Sequence, residues 1–155
     1  MEDCLAVRAR LQGLIDRSPF SAWLGMRVVT AGPEGIEIGV DWRHDFVSAP
    51  ERLATHGGVI AGLLDATAVF AVLARITGLA ATVDLRIDFH GIPAPEPMRL
   101  TGRVLRLGRS ISTSDASLFD AKGKLAASAR ATVMALTSQK PTEASDIATG
   151  IATDP

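Results

Sequence analysis

The chain has 155 residues, 47% hydrophobic and 21% charged, enough for one domain with a sizeable core and too apolar for disorder throughout. Sixteen Lys and Arg against seventeen Asp and Glu leave a formal net charge of −1, so no overall basic field argues for nucleic acid or an anionic membrane surface. A single cysteine, Cys4, excludes an intrachain disulfide, and three scattered histidines show no metal-ligand spacing. The opening Met1-Glu2-Asp3 lacks the basic and apolar regions of a secretory signal, which makes a cytoplasmic protein without metal or organic cofactor the expectation.

In chain order, residues 2–16 space Leu5, Leu11, Leu14 and Ile15 helically and stop before Ser18-Pro19, predicting an N-terminal helix. A strand over 24–30 is joined through Gly32-Pro33-Glu34-Gly35 to a second over 35–42, where Ile36, Ile38 and Val40 alternate with polar or small residues. Residues 57–81 are almost all apolar or small and approach the roughly 20 residues of a membrane span. Asp65 and Arg75 argue against a span, because each costs about 2.5–3.5 kcal/mol at mid-membrane. The segment therefore predicts a helix apolar on nearly all sides and buried on all of them.

Beyond it, Val83, Leu85, Ile87 and Phe89 alternate with Thr82, Asp84, Arg86, Asp88 and His90, the clearest strand pattern in the chain. The proline-rich segment 91–97 breaks it, and 98–107, 110–119 and 125–136 read as three more strands joined by Gly108-Arg109 and by 120–123. In the last of these, Leu125, Ala127, Ala129, Ala131 and Val133 share a side, small enough for a helix to pack closely. The polar stretch 138–155 predicts a disordered tail, leaving 1–137 as a single domain. The fold class is α+β: an antiparallel sheet of five to six strands curled around one long buried helix, with a short N-terminal helix.

The junction Thr55-His56-Gly57-Gly58 carries the most chemistry. Thr55 reads as an N-cap, but two glycines at a helix start cost about 1 kcal/mol each relative to alanine. Free N–H groups at a dipole's positive end, with no side chains in the way, suit an oxyanion hole; a tight turn into a crowded core is the bland alternative. His56 reads as a catalytic base or, more simply, as a backbone-bonded turn residue. Asp65, seven residues beyond Gly58, falls on nearly the same helix face. A carboxylate there points to general-base or nucleophilic work, or to a pairing with Arg75, Arg86 or a backbone donor. Arg99, Arg103, Arg106 and Arg109 fall in a stretch without acids, which suits anion recognition or a solvated strand face.

His56-Gly57-Gly58-Val59, then Leu63-Leu64-Asp65, Thr82-Val83-Asp84-Leu85 and Leu107-Gly108-Arg109, resemble the hotdog-fold acyl-CoA thioesterases of the PaaI-like (phenylacetate-pathway) family over residues 20–135. The resemblance implies a hotdog fold, self-association as a homodimer or homotetramer with sheets paired edge to edge, active sites at the dimer interface, and hydrolysis of an acyl-CoA to free acid and CoA. By position it implies that the Gly57 N–H, helped by Gly58, polarises the thioester carbonyl, that His56 shapes the turn, and that Asp65 activates water or attacks directly. Thr82 would help position the water from the subunit opposite Asp65's. CoA contacts would come from Thr82, Asp84, Phe89, Gly108, Arg109 and Ser110.

The sequence departs from the family where relatives often carry Asn and Gly six and three residues before the histidine. Pro50 and Leu53 stand there, and Glu51 cannot replace the amide donors. Two rival readings accompany the thioesterase one. A hotdog hydratase or dehydratase would need His90 paired with Asp88 or Asp84, and a non-catalytic acyl-CoA-binding module would account for Pro50 and Leu53.

Overall fold

The computed structural model describes residues 3–136, and the expected tail over 138–155 lies outside them. Helix α1 (Cys4–Arg17) forms as its spacing predicts, burying Val7, Leu11 and Ile15 one turn apart. Ser18-Pro19 does more than stop it. Ser18 Oγ accepts the Ser21 N–H and Pro19 takes the first helical position, so a second helix, α2 (Pro19–Leu24), begins at once. Gly25, left-handed at φ 71°, ends it. The strand expected over 24–30 is displaced accordingly, and β1 spans Arg27–Gly32.

Strand β2 (Gly35–Val40) buries Ile36, Ile38 and Val40, as its alternation predicts. A 3-10 turn (His44–Phe46), β3 (Val47–Ala49), a second turn (Pro50–Arg52) and β4 (Ala54–Thr55) then form a small two-stranded sheet, from segments too short to show a period in sequence. Helix α3 (Gly57–Leu73) ends well before residue 81, because β5 (Leu79–Phe89) starts before the alternation does. Strands β6 (Met98–Arg106), β7 (Ile111–Phe119) and β8 (Leu125–Leu136) complete an antiparallel sheet in the order β1-β2-β6-β7-β8-β5.

Helix α3 crosses the inner sheet face against β2, β5, β6, β7 and β8. Ala116, Ala127, Ala129, Ala131 and Val133 are buried beneath it, so small side chains do bring helix and sheet together; Leu125 stays partly exposed. At Gly102 a Cβ would lie 2.8 Å from the Thr67 carbonyl, which explains the missing side chain. Ser114 Oγ ties the layers by donating to the Ala68 carbonyl at 2.9 Å.

One expectation fails here. Helix α3 is not covered all round: Ile60, Leu63, Leu64, Thr67, Ala68 and Ala71 are buried, whereas Ala61, Gly62, Asp65, Ala66 and Val69 form a half-exposed stripe. Hydropathy alone does not distinguish the stripe, since its residues are mostly small and apolar too.

The two edges of the sheet are finished differently. Along β1, Gln12 Oε1 accepts the Val28 N–H at 2.8 Å, Arg8 Nε donates to the Val28 carbonyl at 3.0 Å, and Gln12 Nε2 donates to the Met26 carbonyl at 3.3 Å. Strand β5 pairs only with β8 and leaves its other edge unpaired among the described residues. No described helix is long and apolar enough to cross a membrane.

Candidate active site

His56, not Thr55, caps α3. Its Nδ1 accepts the Gly58 N–H at 2.8 Å, which requires an unprotonated Nδ1. Thr55 is buried instead and accepts the Trp42 indole N–H at 3.1 Å, while the His56 N–H donates to the Phe46 carbonyl at 2.7 Å. The His56 carbonyl accepts from Val59 and Ile60. Of the four N–H groups in the first turn, only that of Gly57 lacks a partner among the described residues. The oxyanion donor expected from Gly57 and Gly58 together is therefore reduced to Gly57, since the Gly58 N–H is already bonded.

The connection into this turn carries a backbone cost. Leu53 is left-handed at φ 49°, ψ 36°, a conformation that costs a non-glycine residue roughly 1–2 kcal/mol. Glycine takes this conformation without that cost, which is the physical reason the resemblance leads one to expect a glycine where this chain carries Leu53.

Asp65 stands half-buried on the open stripe of α3, where the Thr82 hydroxyl of the same chain donates to Oδ1 at 2.6 Å. The arrangement with Thr82 supplied by the opposite subunit is overturned by this intrachain bond. No cation bonds the carboxylate among the described residues: Arg75 donates to the Pro33 carbonyl and Arg86 bonds Asp88.

Thr82 reaches Asp65 because β5 carries a bulge. Thr82 pairs with Val133 and Asp84 with Thr132, which leaves Val83 as an extra residue. The bulge turns Thr82 onto the inner face with Leu85 and Ile87 and puts Val83 outside, 57% exposed. The expected alternation, with Thr82 outside and Val83 inside, breaks at this point, and no glycine in the sequence announces it.

Phe89 lies beside Gly57, its ring 3.8 Å from where a Gly57 Cβ would be. Asp84 is exposed on the outer face. The Gly108-Arg109-Ser110 loop lies beyond the other end of α3, beside Ile76, Thr77 and Gly78, with the Ser110 carbonyl accepting the Ala135 N–H. The 17 residues of α3 separate it from Gly57 of the same chain by about 25 Å.

The arginine cluster is only half free. Arg99 pairs with Glu37 at 3.3 Å and lies over the Phe119 ring, and Arg103 and Arg130 share Asp115 at 3.8 and 2.8 Å. A stretch without acids in sequence thus meets acids from neighbouring strands. Arg106 and Arg109 make no ion pair among the described residues. His90 Nε2 bonds Ser128 Oγ at 2.8 Å rather than a carboxylate, and Asp88 bonds Arg86, so the pair that a hydratase would need is not formed.

Sequence reasoning missed the aromatic support around this site. Phe20 rests on Gly62, Trp23 meets Phe46, and the Arg43 guanidinium lies over both Trp23 and Phe46. The available signal was a cluster of large side chains, Phe20, Trp23, Trp42, Arg43 and Phe46, outside any regular period. Among the described residues no group of three His, Cys, Asp or Glu side chains stands close enough to hold a metal ion.

The thioesterase superfamily profile matches residues 54–127, which contain Gly57, Asp65 and Thr82. The solved structure of a thioesterase-superfamily protein is 36% identical, with a TM-score of 0.80, over 84% of this chain and 98% of that one. A thioesterase family protein from Silicibacter pomeroyi is 22% identical, TM-score 0.76, over 85% and 99%. The PaaI protein of the Escherichia coli phenylacetic acid degradation operon is 14% identical, TM-score 0.77, over 86% and 95%, a likeness of fold. Among curated proteins no match to the sequence is found. The architecture is the hotdog fold, and the chain belongs to the thioesterase superfamily.

Proposed function

We propose that this protein hydrolyses acyl-CoA thioesters to free acid and CoA, in sites shared between two copies of the chain. The observation that carries this reading is Asp65: a carboxylate with no cation among the described residues, oriented by a hydroxyl, on an open helix face whose first N–H, that of Gly57, has no partner among them either. A reacting carbonyl must lie about 3 Å from both base-activated water and oxyanion donor. Asp65 and the Gly57 N–H of one chain are eight residues, or about 12 Å, apart along α3, too far for one thioester.

Two antiparallel α3 helices related by a two-fold near Ala61 would remove that distance. Ala61 is the midpoint between Gly57 and Asp65, and its small side chain permits close approach. Each site would then take Asp65 and Thr82 from one subunit and Gly57 from the other. The unpaired β5 edge, which carries Thr82, supports such an isologous pairing.

Thr82 occupies Asp65 Oδ1, leaving Oδ2 to take a proton from water as it attacks the thioester carbon. The carbonyl oxygen gains charge against the partner's Gly57 N–H and the helix dipole. Collapse breaks the C–S bond, and the proton passes from Asp65 to the departing thiolate. Direct attack by Oδ2, followed by hydrolysis of the anhydride, uses the same groups. Arg109 and Arg106, free of ion pairs among the described residues, are the candidates for CoA phosphates, with Thr82, Asp84, Phe89, Gly108 and Ser110 as further contacts. The test is thiol release over an acyl-CoA panel: turnover is expected, together with its loss in Asp65→Asn, and equal turnover by that variant would overturn the assignment.

A further inference from the structure

Phe20, at the start of α2, is 56% exposed despite being a large aromatic. It rests on the one position of α3 that lets it reach the helix backbone: a Cβ on Gly62 would lie 3.0 Å from Phe20 Cζ and 3.1 Å from Cε1. Gly62 precedes Asp65 by three residues, about 4.5 Å along the axis, on the same half-exposed stripe. The ring therefore packs on α3 within one helical turn, along the axis, of the residue that carries the carboxylate.

Its position is fixed from behind. Trp23 lies nearly parallel to it, with ring centroids 6.2 Å apart and planes at 19°. Trp23 in turn meets the buried Phe46 edge-on at 5.7 Å. The Arg43 guanidinium lies 5.1 Å from the Trp23 ring and 4.7 Å from the Phe46 ring, and donates a hydrogen bond to the Trp23 carbonyl. An exposed ring so firmly backed is a wall rather than a mobile surface group.

A thioester at Asp65 has a charged, hydrated CoA end and an apolar acyl end, and apolar surface recruits the acyl end. We propose that Phe20 is a specificity-determining residue of the acyl subsite, closing it about one helical turn from Asp65 and so favouring short acyl groups. This rests on the acyl-CoA reading above and adds to it a substrate class and the residue that sets it.

The experiment measures kcat/KM for thiol release across saturated acyl-CoAs from acetyl to dodecanoyl. In parallel, calorimetry measures binding of the corresponding thioether analogues, which cannot be hydrolysed. The wild type should favour short chains. Phe20→Ala should move the optimum to longer chains, gaining about fourfold for each additional methylene that becomes buried. Phe20→Trp should move it toward acetyl. Gly62→Ala, which lifts the ring off the helix while improving helix propensity, should also disfavour longer chains.

A folded Phe20→Ala protein with wild-type chain-length profiles in both assays would overturn the proposal. If that variant does not fold, an unchanged profile in Gly62→Ala would do so. Should the wild type release no thiol while the binding profile shifts with residue 20, hydrolysis is rejected and the acyl subsite stands.

Discussion

The sheet ends in two edges built from similar backbone and treated in opposite ways. At β1, α1 lays Gln12 and Arg8 along the strand and occupies the N–H and carbonyl of Val28 and the carbonyl of Met26. At β5, eleven residues long, no described element covers the outer edge, and Val83 and Phe89 are 57% and 55% exposed. An unpaired edge is a template for another strand, so a chain with two such edges could add copies without limit. One sealed edge and one open edge permit closure at two copies. The comparison also ties the proposed assembly to the proposed chemistry, because the open edge is the strand that holds Thr82 against Asp65.

The sharpest way to test that tie is subunit mixing. Asp65→Asn should lower thiol release by about 10²–10⁴-fold with folding retained, and Gly57→Val should also be severely impaired. Mixed and reassociated, these two inactive proteins should recover about a quarter of wild-type activity, since half of the dimers are mixed and each carries one intact site. Asp65→Asn mixed with Thr82→Val should recover nothing, because both changes strike groups of the same subunit's half-site. Recovery in that second mixture would return Thr82 to the other subunit.

Charging the open edge should come next in size. Leu79→Lys with Val83→Lys places like charges on the pairing strand, and light scattering should report a monomer whose turnover falls about 10²–10³-fold, the effect of losing one oxyanion donor. Equivalent surgery at the sealed edge should act on stability alone. Arg8→Ala with Gln12→Ala strips partners from Val28 and Met26 and should cost about 1–3 kcal/mol in denaturant unfolding, with activity per folded molecule unchanged.

The smallest effect is electrostatic, at the exposed pair closing the β1–β2 end. The Arg27 hydrogen bond at 2.7 Å, and then its charge, hold the Asp41 carboxyl below its ordinary range. A lowered folded value means that the pair's contribution is present above about pH 4 and lost as pH falls through the folded pKa. Asp41→Asn should therefore melt marginally below the wild type at neutral pH, and the difference should vanish on acidification past pH 4.

Most elements could be read from sequence because their signals are local. The period-two runs of β2 and β7, the helical spacing of Val7, Leu11 and Ile15, and the alanines of β8 each depend on a single buried face. What failed depends on contacts between elements. The Ser18-Pro19 stop proved to be a start because the hydroxyl bonds forward to Ser21. The arginine run lost its free charge to Glu37 and Asp115 on other strands. Gly57 and Asp65 are readable as residue types, but whether they can act in one site is decided by the length of helix between them. The Gly58 N–H was lost to His56 by a bond that only the turn geometry reveals.

The bulge at Val83 makes the proposed catalytic arrangement tolerant of a change in chain length that substitution tables cannot register. Deleting that one residue would keep every side chain with a proposed role and would restore even alternation along β5. Thr82 would still face inward with Leu85 and Ile87, because it pairs with Val133, and Asp84 with Thr132, whether or not Val83 lies between them. A lineage could exchange Val83 for many other residues without disturbing this, because its side chain points away from the helix. It could equally drop the position, so a one-residue gap at 83 should mark a relative whose β5 is regular and still holds Thr82 against the helix.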